Sequence, residues 1–351
     1  MGIPFTIAAV IMSAAGNNLS RGGYAMRKFD FLVGLMIVLL AASPVCAGPL
    51  VIKFAHVVAV DTPKGQAAEY FKKLVEERSK GEIKVEVYPN ASLYDDRAAL
   101  EAITMNALQM AAPSFSKFTT FVPQLELFDL PFLFNDNDHL HKVLNGDVGQ
   151  KLLKMVEKKG IVGMAYWDNG FKQMSANKPL IKPEDAAGLK FRIMSSKVLE
   201  AQFKALNANP QVLPFSEVYS ALQQGVVDAC ENPLSNFYTQ KFYEVQKDLT
   251  MTNHGYLGYM VVASKLFWKK LSDPQRELIT QAMKESTVYA NKLAVELDEK
   301  YLGEIKTAGT TVIDLTQEQR QAWKDKLMAI YPEFYDSIGK DLIEGALAAG
   351  K

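Results

Sequence analysis

The chain has 351 residues, 48% of them hydrophobic and 22% charged, and its 39 basic and 39 acidic side chains balance to a formal charge of zero. That composition describes a globular protein with room for two domains, and it provides no electrostatic basis for nucleic-acid binding. With no long like-charge run and no low-complexity tract, nothing in the chain is disordered by composition.

The N-terminus has the pattern of a secretory signal peptide. Met26-Arg27-Lys28 opens a basic region, residues 31–42 are nearly all apolar, and Ser43-Pro44-Val45-Cys46-Ala47 offers a small-residue cleavage site. The apolar run is shorter than the roughly 20 residues a membrane span needs. Residues 1–47 are therefore expected to be an extension plus signal peptide, with Met26 as the start codon, and their removal leaves a net charge of −2. Cys46 preceded by Val45 is a poor lipidation site. Its loss leaves Cys230 alone, so the exported fold has no internal disulfide to rely on.

Val51 to His56 reads as a first buried strand, followed by a helix that Asp61 caps and Pro63 opens. Ala67, Ala68, Phe71, Leu74 and Val75 form its apolar stripe, and Gly81 stops it. Ile83, Val85 and Val87 alternate as a second strand; a helix with Leu100, Ile103 and Leu108 then precedes the short strand Met110-Ala111-Ala112. This βαβαβ order begins an open α/β sheet. The Phe-, Leu- and Pro-rich segment from Phe115 to Phe134 is expected to be core, and a helix over 138–159 ends at Gly160. A strand over 161–167 leads to a second α/β unit that begins near Gly170.

In that unit, strands are expected at 171–175, 189–194, 212–214 and 226–231. Ser195 or Ser196 caps one helix, Ser216 caps a short one, and Asn232-Pro233 opens a third through Tyr243. The chain returns through a strand at 257–263. Ser272-Asp273-Pro274-Gln275 is a capping box that starts a helix reaching about Thr307, on the order of 50 Å long at 1.5 Å per residue. Thr316-Gln317-Glu318-Gln319 is a second such box, and helices finish the chain. The expected fold class is α/β, two lobes with a ligand cleft between them and a long spine helix. One lobe comprises residues 48–169 plus about 258–300, the other 170–257 plus about 301–345, and hinge closure is the usual motion of such an architecture.

Catalytic constellations are absent from the sequence: no HExxH, GxSxG or P-loop motif and no paired cysteines. His139 and His141, two apart, do not share a helix face, so a metal pair is not expected. Cys230 reads as an inert buried hydrophobe more readily than as a nucleophile. Arg192 has a planar fork that matches a carboxylate in two parallel hydrogen bonds, although an ion pair with Glu184 or Asp185 is the bland alternative. Lys172 reads from pattern alone more readily as solvated, Asn232 could cap the next helix, and His56 could be a hydrogen-bonded core histidine. All four fall at or just beyond strand ends, where open α/β sheets bind ligands.

On these residues the sequence resembles the periplasmic solute-binding subunit of tripartite ATP-independent periplasmic (TRAP) transporters, in the DctP-type C4-dicarboxylate-binding family. The resemblance covers nearly the whole mature chain. It is carried most specifically by Trp167 to Pro179, Gly188-Leu189-Lys190-Phe191-Arg192, Pro214-Phe215-Ser216-Glu217-Val218-Tyr219, and Gly225-Val226-Val227-Asp228 with Glu231-Asn232. It implies two α/β lobes that close on a carboxylate. Arg192 would make the double salt bridge to it, Lys172 would assist and Asn232 would hydrogen-bond the ligand. His56, Ser114 and Ser116 would line the first lobe's side, and Phe171 and Phe215 would wall the site. Two departures, Ala229-Cys230 and Leu234, flank Asn232 and bear on pocket size.

The resulting expectation is a non-enzymatic periplasmic receptor without cofactor or metal, acting as a monomer. It would take succinate, malate or fumarate and deliver it to small and large membrane permease subunits. Another organic acid (a sugar, 2-oxo or aromatic acid) is the alternative within that class. A secreted enzyme acting on an organic acid and a sensory ligand-presenting protein are the alternatives outside it.

Overall fold

The computed structural model describes residues 48–350; the expected signal peptide, Met26 and Cys46 lie outside them. The strands are β1 (Leu50–Ala55), β2 (Ile83–Tyr88), β3 (Met110–Ala111), β4 (Ile161–Ala176), β5 (Lys190–Ile193), β6 (Asn209–Val212), β7 (Ala229–Asn232), β8 (Asp248–Ser264) and β9 (Thr311–Asp314). They form one sheet in the order β2-β1-β3-β8-β4-β7-β5-β6, with β9 also beside β8.

Two long antiparallel strands organise this sheet. β4 pairs β8 from Ile161↔Ser264 to Ala176↔Asp248, with register shifts at Gly163/Ala165, Asp168/Gly170 and Lys172/Met174. The C-terminal end of β8 pairs β3, which leads to β1 and β2 through parallel pairs. The opposite end of the β4–β8 pair carries β7 on one side and β9 on the other, and β7 leads to β5 and β6. Short parallel strands thus extend from both ends of one shared antiparallel pair, which makes the fold two-lobed.

The helices in chain order are α1 (Pro63–Arg78), α2 (Asp96–Thr104), α3 (Asn137–Asn145), α4 (Asp147–Met155), α5 (Lys197–Ala205), α6 (Val218–Gln223), α7 (Leu234–Thr239), α8 (Lys265–Lys270), α9 (Asp273–Thr307), α10 (Gln317–Met328) and α11 (Lys340–Ala348). α9 is the expected 35-residue helix, started by the Ser272/Gln275 capping box. It packs on α1, β4 and α7 and so touches both ends of the sheet. Arg78 of α1 grips Glu285 of α9 through two hydrogen bonds of 3.0 and 2.6 Å. The second capping box, Thr316/Gln319, opens α10. Among the described residues no helix is long and apolar enough to cross a membrane.

Several local expectations are corrected. Thr62, not Asp61, caps α1, accepting from the Gly65 amide. Leu108 lies past the end of α2, although it is fully buried. The helix expected over 138–159 breaks at Gly146 into α3 and α4 and ends in a 3-10 turn before Gly160, whose φ of 79° is left-handed. The strands expected at 161–167 and 171–175 are one strand, and Gly170, with φ 144°, marks an irregularity inside β4. β8 begins nine residues before Leu257, β6 ends at Val212, and β7 starts at Ala229. Ser196 caps α5 as expected, whereas Ser216 caps nothing with its side chain. α7 stops at Thr239, short of Tyr243, because Lys241 adopts a left-handed conformation. The Phe-rich segment is core: Phe115, Phe118, Phe128, Phe132 and Phe134 are all buried.

Candidate functional site: a buried cationic chamber

Residues just past the C-terminal ends of β1, β3, β5, β6 and β7 converge on one cavity, the position at which open α/β sheets bind ligands. An outer pocket of about 410 Å³ is lined by Asp95, Asp96, Arg97, Lys117, Phe121, Leu213 and Phe215, among others. It shares Val57, Asp96, Lys117 and Phe215 with an inner chamber that also exposes Ser114, Lys172, Arg192, Glu231, Asn232, Asn236 and Tyr259.

Arg192 is the centre of the chamber. It stands on β5 between β6 and β7, with only 2% of its surface exposed. Neither Glu184 nor Asp185 pairs with it: the Asp185 carboxylate accepts the amides of Ile181 and Lys182 instead. The guanidinium Nε and Nη2 both donate to the Leu213 carbonyl, at 3.2 and 3.0 Å, and the group lies 5.8 Å from the Phe215 ring centroid. An arginine has five N–H donors, so donors remain for a ligand. Burial lowers the Arg192 pKa from its ordinary value, and among the described residues no carboxylate lies within ion-pair distance of it. A buried cation without a counter-ion is costly, and a bound carboxylate removes that cost.

Lys172 has a different status. On β4, its Nζ donates to Glu231 Oε1 at 2.7 Å, and both side chains are 1% exposed. The second Glu231 oxygen accepts from His254 Nε2 at 2.7 Å, while His254 Nδ1 meets Thr252 Oγ1 at 2.7 Å. Burial lowers the His254 pKa, and the Glu231 carboxylate opposes that shift. Burial pushes the Glu231 carboxyl up, but Lys172 and His254 outweigh it and hold the pKa at about 2. Gly255 makes room for this pair, since a Cβ there would lie 2.7 Å from Lys172 Cε. The Lys172 charge is therefore matched within the protein.

The other expected site residues divide. Asn232 lines the chamber, its Nδ2 3.5 Å from Cys230 Sγ. Phe215 walls both spaces. Ser114 lines the chamber with a buried Oγ that has no partner among the described residues. Ser116 does not: its hydroxyl donates to Asp129 at 2.7 Å. Phe171 lies in a separate recess with Phe132, Phe134 and Tyr256, because successive residues of a strand face opposite sides and Lys172 takes the chamber side. His56 is buried away from the lining, where Val57 and Val58 stand. Burial and then the nearby Lys64 charge lower its pKa to about 3, so its ring is neutral.

Residues not anticipated complete the site. Lys117 and Asp96 line both spaces, and Tyr259 and Asn236 close the inner one. Behind Tyr259, Lys64 is fully buried, 3.5 Å from the ring centroid, and donates to the Ala112 carbonyl at 2.9 Å. Burial lowers its pKa to about 8. Cys230 and Leu234 are buried and belong to one apolar cluster with Val218 and Phe237. They are absent from the chamber lining, so the two sequence departures are changes of core packing. Burial pushes the Cys230 thiol up to about 11, which suits a packed hydrophobe and not a nucleophile.

An α/β fold of two strand groups on a shared antiparallel pair, with a buried arginine facing the cavity that has no ion-pair partner among the described residues, defines a binding protein for small anions. The chain belongs to the bacterial extracellular solute-binding proteins, family 7 (DctP), whose model matches residues 54–338. It is 53% identical over 326 residues to the C4-dicarboxylate-binding periplasmic protein DctP of Rhodobacter capsulatus, covering 92% of this chain and 98% of that one. Among solved structures, a TRAP periplasmic solute-binding protein from Sulfurospirillum deleyianum with bound succinate is 55% identical with a TM-score of 0.84, covering 86% of this chain and 99% of that one. A counterpart from Shewanella oneidensis, also with bound succinate, is 48% identical with a TM-score of 0.85, covering 87% and 100%. The chain is a solute-binding protein and not an enzyme.

Proposed function

We propose that this protein is the periplasmic receptor of a TRAP transporter, capturing a C4-dicarboxylate of the succinate, malate and fumarate class and handing it to small and large membrane permease subunits. The observation that carries the reading is Arg192: buried, braced by the Leu213 carbonyl, facing the chamber and, among the described residues, without a carboxylate within ion-pair distance. A planar guanidinium so placed favours a bidentate carboxylate over a neutral solute. The succinate bound in two relatives of about half-identical sequence supports the same solute class here.

The two groups of short strands act as the lobes, residues 48–169 plus about 258–300 and residues 170–257 plus the stretch from about 301. The C-terminal helices expected with the second lobe up to 345 pack on the first beyond about residue 330, where Tyr331 donates to the Pro131 carbonyl and His139 meets the Ala346 carbonyl. The lobes close over the solute by flexing the β4–β8 pair where its register shifts, near Asp168/Gly170. Asn232 assists Arg192, Ser114 contributes from the other lobe, and Phe215 excludes water.

Thermal stabilisation against a panel of small carboxylic acids tests the reading. A ligand at 100 times its Kd adds ~2.7 kcal/mol to stability, and succinate, malate or fumarate should stand out. Arg192→Ala should abolish that stabilisation while the protein remains folded. Stabilisation by a sugar acid or an aromatic acid alone would keep the receptor class and overturn the solute. Unchanged succinate binding by Arg192→Ala would overturn the site.

A further inference from the structure

We propose that the far carboxylate of the diacid is held by Lys117, and that Lys172 supplies no counter-charge to the ligand. The inference rests on the reading of the chamber as a dicarboxylate site and assigns the residue that sets its preference for two charges over one.

Lys172 is excluded by its partner. Its ammonium is 2.7 Å from Glu231 with both groups out of solvent, and His254 holds the second Glu231 oxygen in place. A ligand carboxylate brought to Lys172 would also approach the Glu231 anion, and like charges in a dry site oppose one another. Lys172 and Glu231 together present no net charge to a solute.

Lys117 has the complementary properties. It ends the short 3-10 turn Phe115–Lys117, immediately after Ser114, and its side chain lines both the outer pocket and the inner chamber. Among the described residues no carboxylate lies within ion-pair distance of it, although Asp96 stands in the same lining. Burial lowers its pKa, with Asp96 opposing that and Arg192 adding to it. Lys117, half-buried, and Arg192, buried, are two cations on one lining, and Asp95 and Asp129 join Asp96 in favouring the Lys117 charge without any of them reaching ion-pair distance. An anion with a charge at each end pairs with both.

Two buried side-chain atoms of the same lining, Ser114 Oγ and Asn236 Oδ1, have no partner among the described residues. The Ser114 hydroxyl, three residues before Lys117, is placed to donate to the same carboxylate. Lys117 follows β3 and Arg192 lies on β5, on opposite sides of the β4–β8 pair. A diacid between them ties together the two groups of strands, whereas a monoacid satisfies one anchor only.

Titration calorimetry with succinate and with succinamate, which replaces one carboxylate by a neutral amide of the same shape, reads this directly. Lys117→Met should lower succinate affinity on the order of 100-fold, as for a truncated buried charge pair, and change succinamate by only a few-fold. Lys117→Arg should keep the preference for succinate, and Lys117→Gln gives the same reading if the Met variant does not fold. Equal weakening of both ligands, or unchanged succinate binding, overturns the assignment of Lys117 while leaving the dicarboxylate site intact. That site is tested separately by Arg192→Ala. If the unmodified protein binds neither ligand, both readings fall together.

Discussion

Lys172 and Glu231 form an ion pair of 2.7 Å in which each side chain is 1% exposed, and the two residues lie 59 positions apart on β4 and β7. Their strands are neighbours: Met174 is opposite Glu231 in the β4–β7 register. The pair fixes one wall of the chamber. It also turns a lysine that looks like a ligand cation into a group whose charge the protein already neutralises.

Breaking this pair from one side should be expensive. Glu231→Gln leaves the Lys172 ammonium buried without its anion, a loss of ~3–5 kcal/mol for a buried pair, read as a lower urea midpoint. Adding Lys172→Met to that variant removes the stranded charge and should recover much of the stability. A double variant no more stable than Glu231→Gln would show that the two residues do not act as a pair. Because Glu231 is held at about 2, below its ordinary value, its contribution is present above the usual glutamate range and fades as pH falls toward 2.

The sequence was most readable where both partners of an interaction lie within one turn. The capping boxes at Ser272/Gln275 and Thr316/Gln319 open α9 and α10 as expected, because a side chain and an amide three residues apart need no other part of the fold. Arg192 was legible as a chamber residue through its place near a strand end. The length of β4 was not, since Gly170 reads locally as a break; pairing with β8 carries the strand through it. Asp248 to Tyr256 looks irregular for the same reason, and is a strand because β4 and β9 flank it.

Proximity to a strand end also says nothing about which way a side chain points. Phe171 and Lys172 are adjacent, so the alternation of a strand allows only one of them into the chamber. His56 precedes Val57 and Val58, and the chain direction there gives the lining to the valines. Lys117 carried no signal at all, because only the fold brings it, from one side of the β4–β8 pair, to the same lining as Arg192 on the other.

Asp298 on α9 should make stability depend on pH in the direction opposite to Glu231. Its Oδ1 is buried without a partner among the described residues, and the carboxylate faces Gly170, where a Cβ would lie 3.4 Å from Oδ2. Burial pushes its pKa up to about 7. The unfolded chain releases this proton near the ordinary value of ~3.9, so the native state holds it across the window between. Stability therefore declines as pH rises from about 4 to about 7. Asp298→Asn should flatten that decline and raise stability at pH 8 by on the order of 1–3 kcal/mol. Urea midpoints of both proteins at pH 5 and pH 8 check it; parallel pH profiles would exclude Asp298 as the source.

Arg192→Lys separates charge from geometry at the anchor. The guanidinium uses Nε and Nη2 on the Leu213 carbonyl and keeps further donors in the same plane for a carboxylate. A lysine ammonium has three donors on one atom, so it cannot hold that carbonyl and also present two parallel N–H groups at the ligand's distance. Its stem would leave the face near Phe215, 5.8 Å away in the native protein, without a planar neighbour. The variant keeps its charge and, because the Leu213 carbonyl loses one of two donors, should lose only ~1 kcal/mol of stability. Succinate affinity should fall on the order of 100-fold, the scale of a truncated buried charged contact, and calorimetry beside a urea titration reads both numbers. Affinity within a few-fold of the unmodified protein would mean that Arg192 acts as a point charge, and the bidentate grip would have to be abandoned.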